Sequence, residues 1–404
     1  MHPKPLPADP LIRALIQRAQ QSSLSRRTLL SGAAAGATGL ALAACSTGSN
    51  IGVTAAEDTS ETNNTVRWDN WALYVDVDDE GNYPTIDAFE AQTGINVAYT
   101  EAVEDNNSYY ATVNDQLSLG QDIGADVVCL TDWIVARLIR FGYIQKLDHA
   151  NIPNIANLLP ELRDVDFDPG REMSIPYQGG FAGIAWNKEM LPAGLRSVQD
   201  LWNPDLKGRV GVLSEMRDTM GLIMLDQGVD ISGGWGVDQF NAGIEELTKH
   251  VSSGQILNIT GNSYLEDLVS GDTLAAIVWS GDIVQLNAEH GDKWGFAVPE
   301  AGGPIWNDNF MVPIGSPAKS NVEELINYYY DPAVAAEVAA YVNYITPVAG
   351  AKEAAAAIDP ELASNNLIFP DDDMLARSYV FRGLDSSEEQ TFNTAFQRIL
   401  QNAP

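Results

Sequence analysis

Cysteine and histidine are both scarce in this sequence, and positive charge is scarcer than negative. Two cysteines, Cys45 and Cys129, in 404 residues are too few for a disulfide framework, and neither belongs to a CxxC or Cys/His cluster with metal-ligand spacing. The four histidines, His2, His149, His250 and His290, are scattered. A histidine-built zinc site is therefore not expected, and no metal or other cofactor is implied. Lysine and arginine number 23 against 55 aspartates and glutamates, a net charge of −32. Such a field repels nucleic acid and anionic head groups and favours small cations. It also keeps a secreted protein soluble, so a ligand argument has to rest on individual residues. There is no nucleophile elbow, HExxH or phosphate loop, and no repeat of solenoid period.

The N-terminus reads as an address and is set apart from the fold. Arg26-Arg27 in Ser25-Arg26-Arg27-Thr28-Leu29-Leu30 form a twin-arginine-like start. The small-residue apolar run Leu29–Ala44 follows, with three glycines in 16 residues, short for a membrane span of about 20. It ends in Leu42-Ala43-Ala44-Cys45, which resembles a lipoprotein box with Cys45 as the lipidated residue. Cleavage there removes Lys4, Arg13, Arg18, Arg26, Arg27 and Asp9 and leaves 18 basic against 54 acidic residues. Residues 46–65, rich in Ser, Thr, Gly and Asn, read as a flexible tether. Cys129, in Val127-Val128-Cys129-Leu130, reads as a small buried hydrophobe.

From Val66 onward short strands alternate with amphipathic helices. Strands are expected at Val66–Trp71, Ile95–Tyr99 and Asp126–Leu130. Helices are expected after Pro84, at Tyr109–Leu119 and at Asp132–Phe141, with Gly94, Gly120 and Gly142 as stops and Asp132 as the N-cap of the last. The pattern restarts after Ser174-Ile175-Pro176-Tyr177, with strands at Gly183–Trp186, Arg209–Leu213, Thr273–Trp279, Trp294–Val298 and Ile305–Pro313. The β-α-β order argues for α/β layers with a mostly parallel sheet. The last helix, about Ser386–Gln401, opens on Ser386-Ser387-Glu388-Glu389, a capping signal.

A series of motifs carries a resemblance. Asp69-Asn70-Trp71-Ala72-Leu73-Tyr74, Ala125-Asp126-Val127-Val128, Leu201-Trp202-Asn203-Pro204, Ala276-Ile277-Val278-Trp279-Ser280-Gly281, Ile305-Trp306-Asn307-Asp308, Asp331-Pro332-Ala333 and Tyr344-Ile345-Thr346-Pro347 follow the order and spacing of one family. Over 66–404 the chain resembles the extracellular solute-binding proteins of ABC importers, in their spermidine/putrescine-binding branch. The resemblance implies a two-lobe α/β fold of the type II periplasmic-binding-protein kind, with a ligand cleft between lobes and no catalysis. Residues 66–182 plus 308–350 would form one lobe and 183–307 plus 351–404 the other. The implied partners are a small cationic ligand and an ABC permease in the membrane, and the implied state is a monomer.

The family's polyamine clamp places aromatics along an aliphatic chain and carboxylates at its ammonium ends. Carried over residue by residue, it implies Trp71 and Tyr74 after the first strand, and Thr131 and Trp133 after Asp126–Leu130. It implies Glu215 and Asp218, three apart and so on one helix face, and then Trp279, with Trp306 and Asp308 on one face of a strand, and Tyr344. Asp282 is a further candidate, and Asp132, next to Thr131, is either the helix N-cap or a ligand carboxylate. Ala72 stands where the family often has a hydroxyl, and the segment Tyr379-Val380-Phe381-Arg382 offers no match to the family's last contact, a glutamine. An arginine entering the cleft there would repel a polyamine. The alternatives are a receptor for a sugar or for ferric ion, the latter through Tyr109-Tyr110 or Tyr328-Tyr329-Tyr330. A hydrolase using Glu215 and Asp218 as acid and base is the remaining one.

Overall fold

The computed structural model describes residues 53–403, so the leader, Cys45 and the first part of the tether lie outside the described residues. In chain order the strands are β1 Thr65–Trp71, β2 Asn96–Val103, β3 Val127–Thr131, β4 Asp164–Val165, β5 Asp168–Pro169, β6 Ile175–Asn187, β7 Val210–Leu213, β8 Ile256–Thr260, β9 Ala275–Trp279, β10 Trp294–Ala297, β11 Gly303–Met311 and β12 Ser378–Tyr379. On β1, Val66, Trp68 and Asn70 point inward and alternate with half-exposed residues, the period-2 signature of a strand with one covered face. β3 is buried along Val127–Leu130, as a strand covered on both faces should be.

The sheet order β2-β1-β3-β11-β6-β9-β7-β8 contains two parallel halves, β2-β1-β3 and β9-β7-β8. Two long strands join them, β11 antiparallel to β3 and β6, and β6 antiparallel to β9. β6 is the larger correction to the sequence reading. Gly183–Trp186 is not a separate strand but the second part of a 13-residue run that leaves β11 after Phe181 and joins β9 at Ala182. Its Gly179-Gly180 pair admits neighbours: a Cβ on Gly180 would lie 2.7 Å from both the Trp306 and Tyr344 rings.

Helices pack on both halves. Pro84–Thr93 begins on proline and ends at Gly94 with φ 74°, the conformation glycine adopts without penalty. Asp132–Phe141 ends likewise at Gly142 with φ 71°. Its N-cap is Thr131, not Asp132; the Asp132 carboxylate is drawn away by the Asn309 amide, which donates to it at 2.7 Å. The last helix, Ser386–Leu400, is capped one residue earlier than expected, by Asp385 with Glu388 in a capping box. Residues 56–63, assigned by composition to the tether, are held on the body. Ala56 and Thr59 donate to the Ile314 and Pro317 carbonyls, and Asp58 accepts from Ser320.

Trp68 is wholly buried at the centre of the first half, within 5.2 to 5.7 Å of Tyr99, Tyr177, Phe310 and Tyr329. In the second half Phe240 stacks on Phe392 at 4.2 Å, fastening the last helix to Val237–Ser252. No helix of the described residues is long and apolar enough to cross a membrane.

Candidate ligand-binding site

In open α/β sheets, ligands meet the protein beyond the carboxyl ends of parallel strands, where the connections diverge. Here β1 ends at Trp71, β3 at Thr131, β7 just before Glu215, and β9 at Trp279. β11 carries Trp306 and Asp308 across the same level. The result is a cavity of about 680 Å³. All ten residues expected at the site line it: Trp71, Tyr74, Thr131, Trp133, Glu215, Asp218, Trp279, Trp306, Asp308 and Tyr344.

The carboxylates are buried and held by neutral donors. Asp308 accepts from the Tyr74 hydroxyl at 2.9 Å and from Thr131 Oγ1 at 2.6 Å. Glu215 Oε1 accepts from the Asn106 backbone N–H at 3.0 Å and its Nδ2 at 3.2 Å. Asp218 Oδ2 accepts from Trp279 Nε1 at 2.8 Å. None of the three makes an ion pair among the described residues. Loss of water therefore dominates their titration. Burial, with Asp105 and Asp218 nearby, pushes Glu215 up to about 8. Burial pushes Asp308 to about 7 and Asp218 to about 6.

The aromatics form walls between these acids. Trp71 and Trp279, from the two halves, meet edge to face at 6.2 Å. Trp306 and Tyr74 flank the Tyr344 ring at 5.4 and 5.5 Å. The Tyr344 hydroxyl donates to Asp282 at 2.7 Å, and Tyr264 donates to the other oxygen of that carboxylate. Asp282 therefore lines the cavity with both oxygens engaged. Indole faces of this kind attract cations and cover methylenes.

Three placements were not legible beforehand. Asn106 lines the cavity and ties Thr131 to Glu215; it opens the helix after β2, at a strand end that the carboxyl-end rule could have singled out. Trp133 lies beneath protein guanidinium groups, with Arg217 at 4.0 Å and Arg137 at 5.0 Å from its ring. Arg217 lines the cavity and reaches Glu389 at 3.5 Å. Arg382, the arginine that would repel a polyamine, also lines the cavity, but Glu388 pairs with its charge. Glu388 accepts from it at 2.9 and 2.7 Å, and it stacks on Trp235 at 4.2 Å. The tyrosine runs are used in packing. Tyr109 donates to Asp69 at 2.8 Å, Tyr330 donates to the Pro176 carbonyl, and the Tyr328 and Tyr329 rings stand at 88°.

Residues 85–368 match the profile of the bacterial extracellular solute-binding proteins. The chain belongs to that family. The solute-binding protein is 28% identical over 324 residues to a spermidine/putrescine-binding periplasmic protein of Escherichia coli, covering 80% of this chain and 87% of the relative. It is 27% identical over 368 residues to a putrescine-binding periplasmic protein of the same organism, covering 87% and 94%. In fold it is similar to the substrate-binding protein of a spermidine/putrescine ABC transporter from Streptococcus pneumoniae, with a TM-score of 0.68, 23% identity, and coverage of 84% and 99%. The fold is the two-lobe α/β arrangement of periplasmic binding proteins, with the cleft between lobes, and the family is one of transport.

Proposed function

We propose that this solute-binding protein captures polyamines, putrescine or spermidine, and delivers them to a membrane ABC permease without chemical change. The observation that carries the reading is the set of three buried carboxylates, Glu215, Asp218 and Asp308, with no basic partner in an ion pair among the described residues. Buried charge without a partner is expensive, and a ligand bearing two or three ammonium groups relieves that cost. The indole and phenol walls then cover the methylenes between the charges. The two curated relatives support the same ligand class. Lobes at 66–182 plus 308–350 and 183–307 plus 351–404 would close over it about the crossings on β6 and β11. A sugar would leave the acids uncompensated, and a hydrolase would depart from the transport role of the solute-binding family.

We also propose that the protein is exported, cleaved before Cys45, lipidated on that thiol and held as a monomer at the outer face of the cell membrane. Calorimetric titration of the chain from residue 46 with putrescine, spermidine and an uncharged sugar tests the ligand. Binding of either amine, with none of the sugar, is expected; binding of the sugar alone sinks the reading. For the anchor, Cys45→Ser should move the protein from the membrane fraction to the soluble one.

A further inference from the structure

One carboxylate outside the ten expected residues has an unusual position. Glu389, 7% exposed on the last helix, accepts from Arg137 at 2.8 Å and Arg140 at 3.0 Å. It also meets Arg217 at 3.5 Å. Its helix belongs to the second half of the molecule, because Phe392, three residues on, stacks on Phe240. Arg217 opens the helix after β7, in the same half. Arg137 and Arg140 lie on the helix after β3, in the other half. The pairs from Glu389 to Arg137 and Arg140 therefore cross from one half to the other, and Arg140 and Arg217 line the cleft itself.

We propose that Glu389 is the positioning residue for cleft closure, a latch between the halves that fixes the lobes over the ligand without touching it. This rests on the reading of the protein as a closing receptor, not on which amine it binds. Three guanidinium groups converge on one carboxylate, two of them, Arg137 and Arg217, over the Trp133 ring. Arg137 and Arg217 repel each other, and Glu389 is what offsets that repulsion. Remove its charge and closing the lobes would bring like charges together in a region poor in water, where Coulomb energy is least screened. With Glu389 present, closure completes two short charge-assisted hydrogen bonds between the halves. A contact between the halves that opening has to break shifts the equilibrium toward the closed form and lengthens the time a bound solute is held.

The test is Glu389→Gln in the chain from residue 46, with Arg137→Gln as a second variant should the first fail to fold. Putrescine dissociation by stopped flow should quicken at least tenfold, while the association rate changes less than threefold. Small-angle scattering of the ligand-free variant should show a larger radius of gyration than the parent. The double variant should dissociate no faster than Glu389→Gln alone, because loss of Arg137 also removes the repulsion from Arg217 that Glu389 offsets. Unchanged dissociation, or a loss of affinity carried wholly by association with unchanged scattering, overturns the latch. Failure of the parent to bind any amine would sink the polyamine reading instead, and the scattering comparison would still decide the latch.

Discussion

The Tyr74 hydroxyl donates to Asp308 at 2.9 Å, joining the loop after β1 to the centre of β11 across 234 positions of sequence. The ring is 3% exposed and the carboxylate equally buried, so the bond forms where little water competes. It gives Asp308 one of the two neutral donors that let a buried carboxylate ionise, the other being Thr131. Asp308→Asn keeps the size and removes the charge. Polyamine affinity should fall more than tenfold, about 1.5 kcal/mol, the scale of one charged hydrogen bond, as read by calorimetry at pH 8. Tyr74→Phe should cost less there and more near pH 7, because a carboxylate with one donor fewer is harder to ionise.

Glu215 and Asp218 should separate in their effects. Glu215 Oε1 is held by Asn106, and Oε2 has no donor among the described residues. Glu215→Gln should weaken putrescine at least tenfold and leave the fold intact. Asp218 also orients the Trp279 indole through the 2.8 Å bond to its Nε1. Asp218→Asn should weaken binding and also blue- or red-shift tryptophan emission in the ligand-free protein, a change that Glu215→Gln should not produce.

The raised carboxyls set the pH dependence. An ammonium needs the ionised acid, so affinity should climb from pH 5 to about 8.5 as Asp218, Asp308 and Glu215 lose protons near 6, 7 and 8. Binding at pH 7 should release protons, seen as a calorimetric enthalpy that changes with the ionisation heat of the buffer. Stability of the ligand-free protein runs the other way. A carboxyl whose folded pKa lies above its unfolded value of about 4 binds protons more tightly when folded. These groups therefore remove stability as pH rises from about 4 to about 8. The melting temperature of the ligand-free chain should carry that downward contribution, and the ligand-induced rise in melting temperature should grow over the same interval.

Much of this architecture could be read from local chemistry. The glycine stops at Gly94 and Gly142 and the alternation on β1 are decided within a few residues, and the structure keeps them. The cleft aromatics were placed by the family resemblance, and Trp71, Trp133 and Trp279 do stand at or just past strand ends, where α/β sheets bind ligands. The single run of β6 was not read because its neighbours come from distant segments: Gly180 faces the Trp306 and Tyr344 rings, and Gly179 the Asn307 side chain and the Trp306 carbonyl. Asp132 was read as a cap for the same kind of reason. Its partner Asn309 sits on β11, and nothing within its own segment announces that amide. Arg217 and Glu389 lie 172 positions apart, so no local pattern could have paired them.

Gly281 makes the last case, because it tests geometry without touching a charge. It lies in the first turn of the helix that follows β9, and a Cβ there would come within 2.6 to 2.7 Å of three atoms of the Tyr344 ring. Those are ring atoms, fixed on one side by Trp306 and Tyr74 and at the hydroxyl by Asp282. The ring cannot swing aside as a flexible side chain would. Gly281→Ala should therefore overpack the site, at a cost of about 1–3 kcal/mol read from denaturant unfolding. It should also weaken polyamine binding, since Tyr344 has to leave Asp282 or push on Trp306. Tyr344→Leu combined with Gly281→Ala should recover most of the lost stability by removing the clash, but not the affinity. If Gly281→Ala alone leaves both unchanged, Tyr344 does not occupy that position in solution.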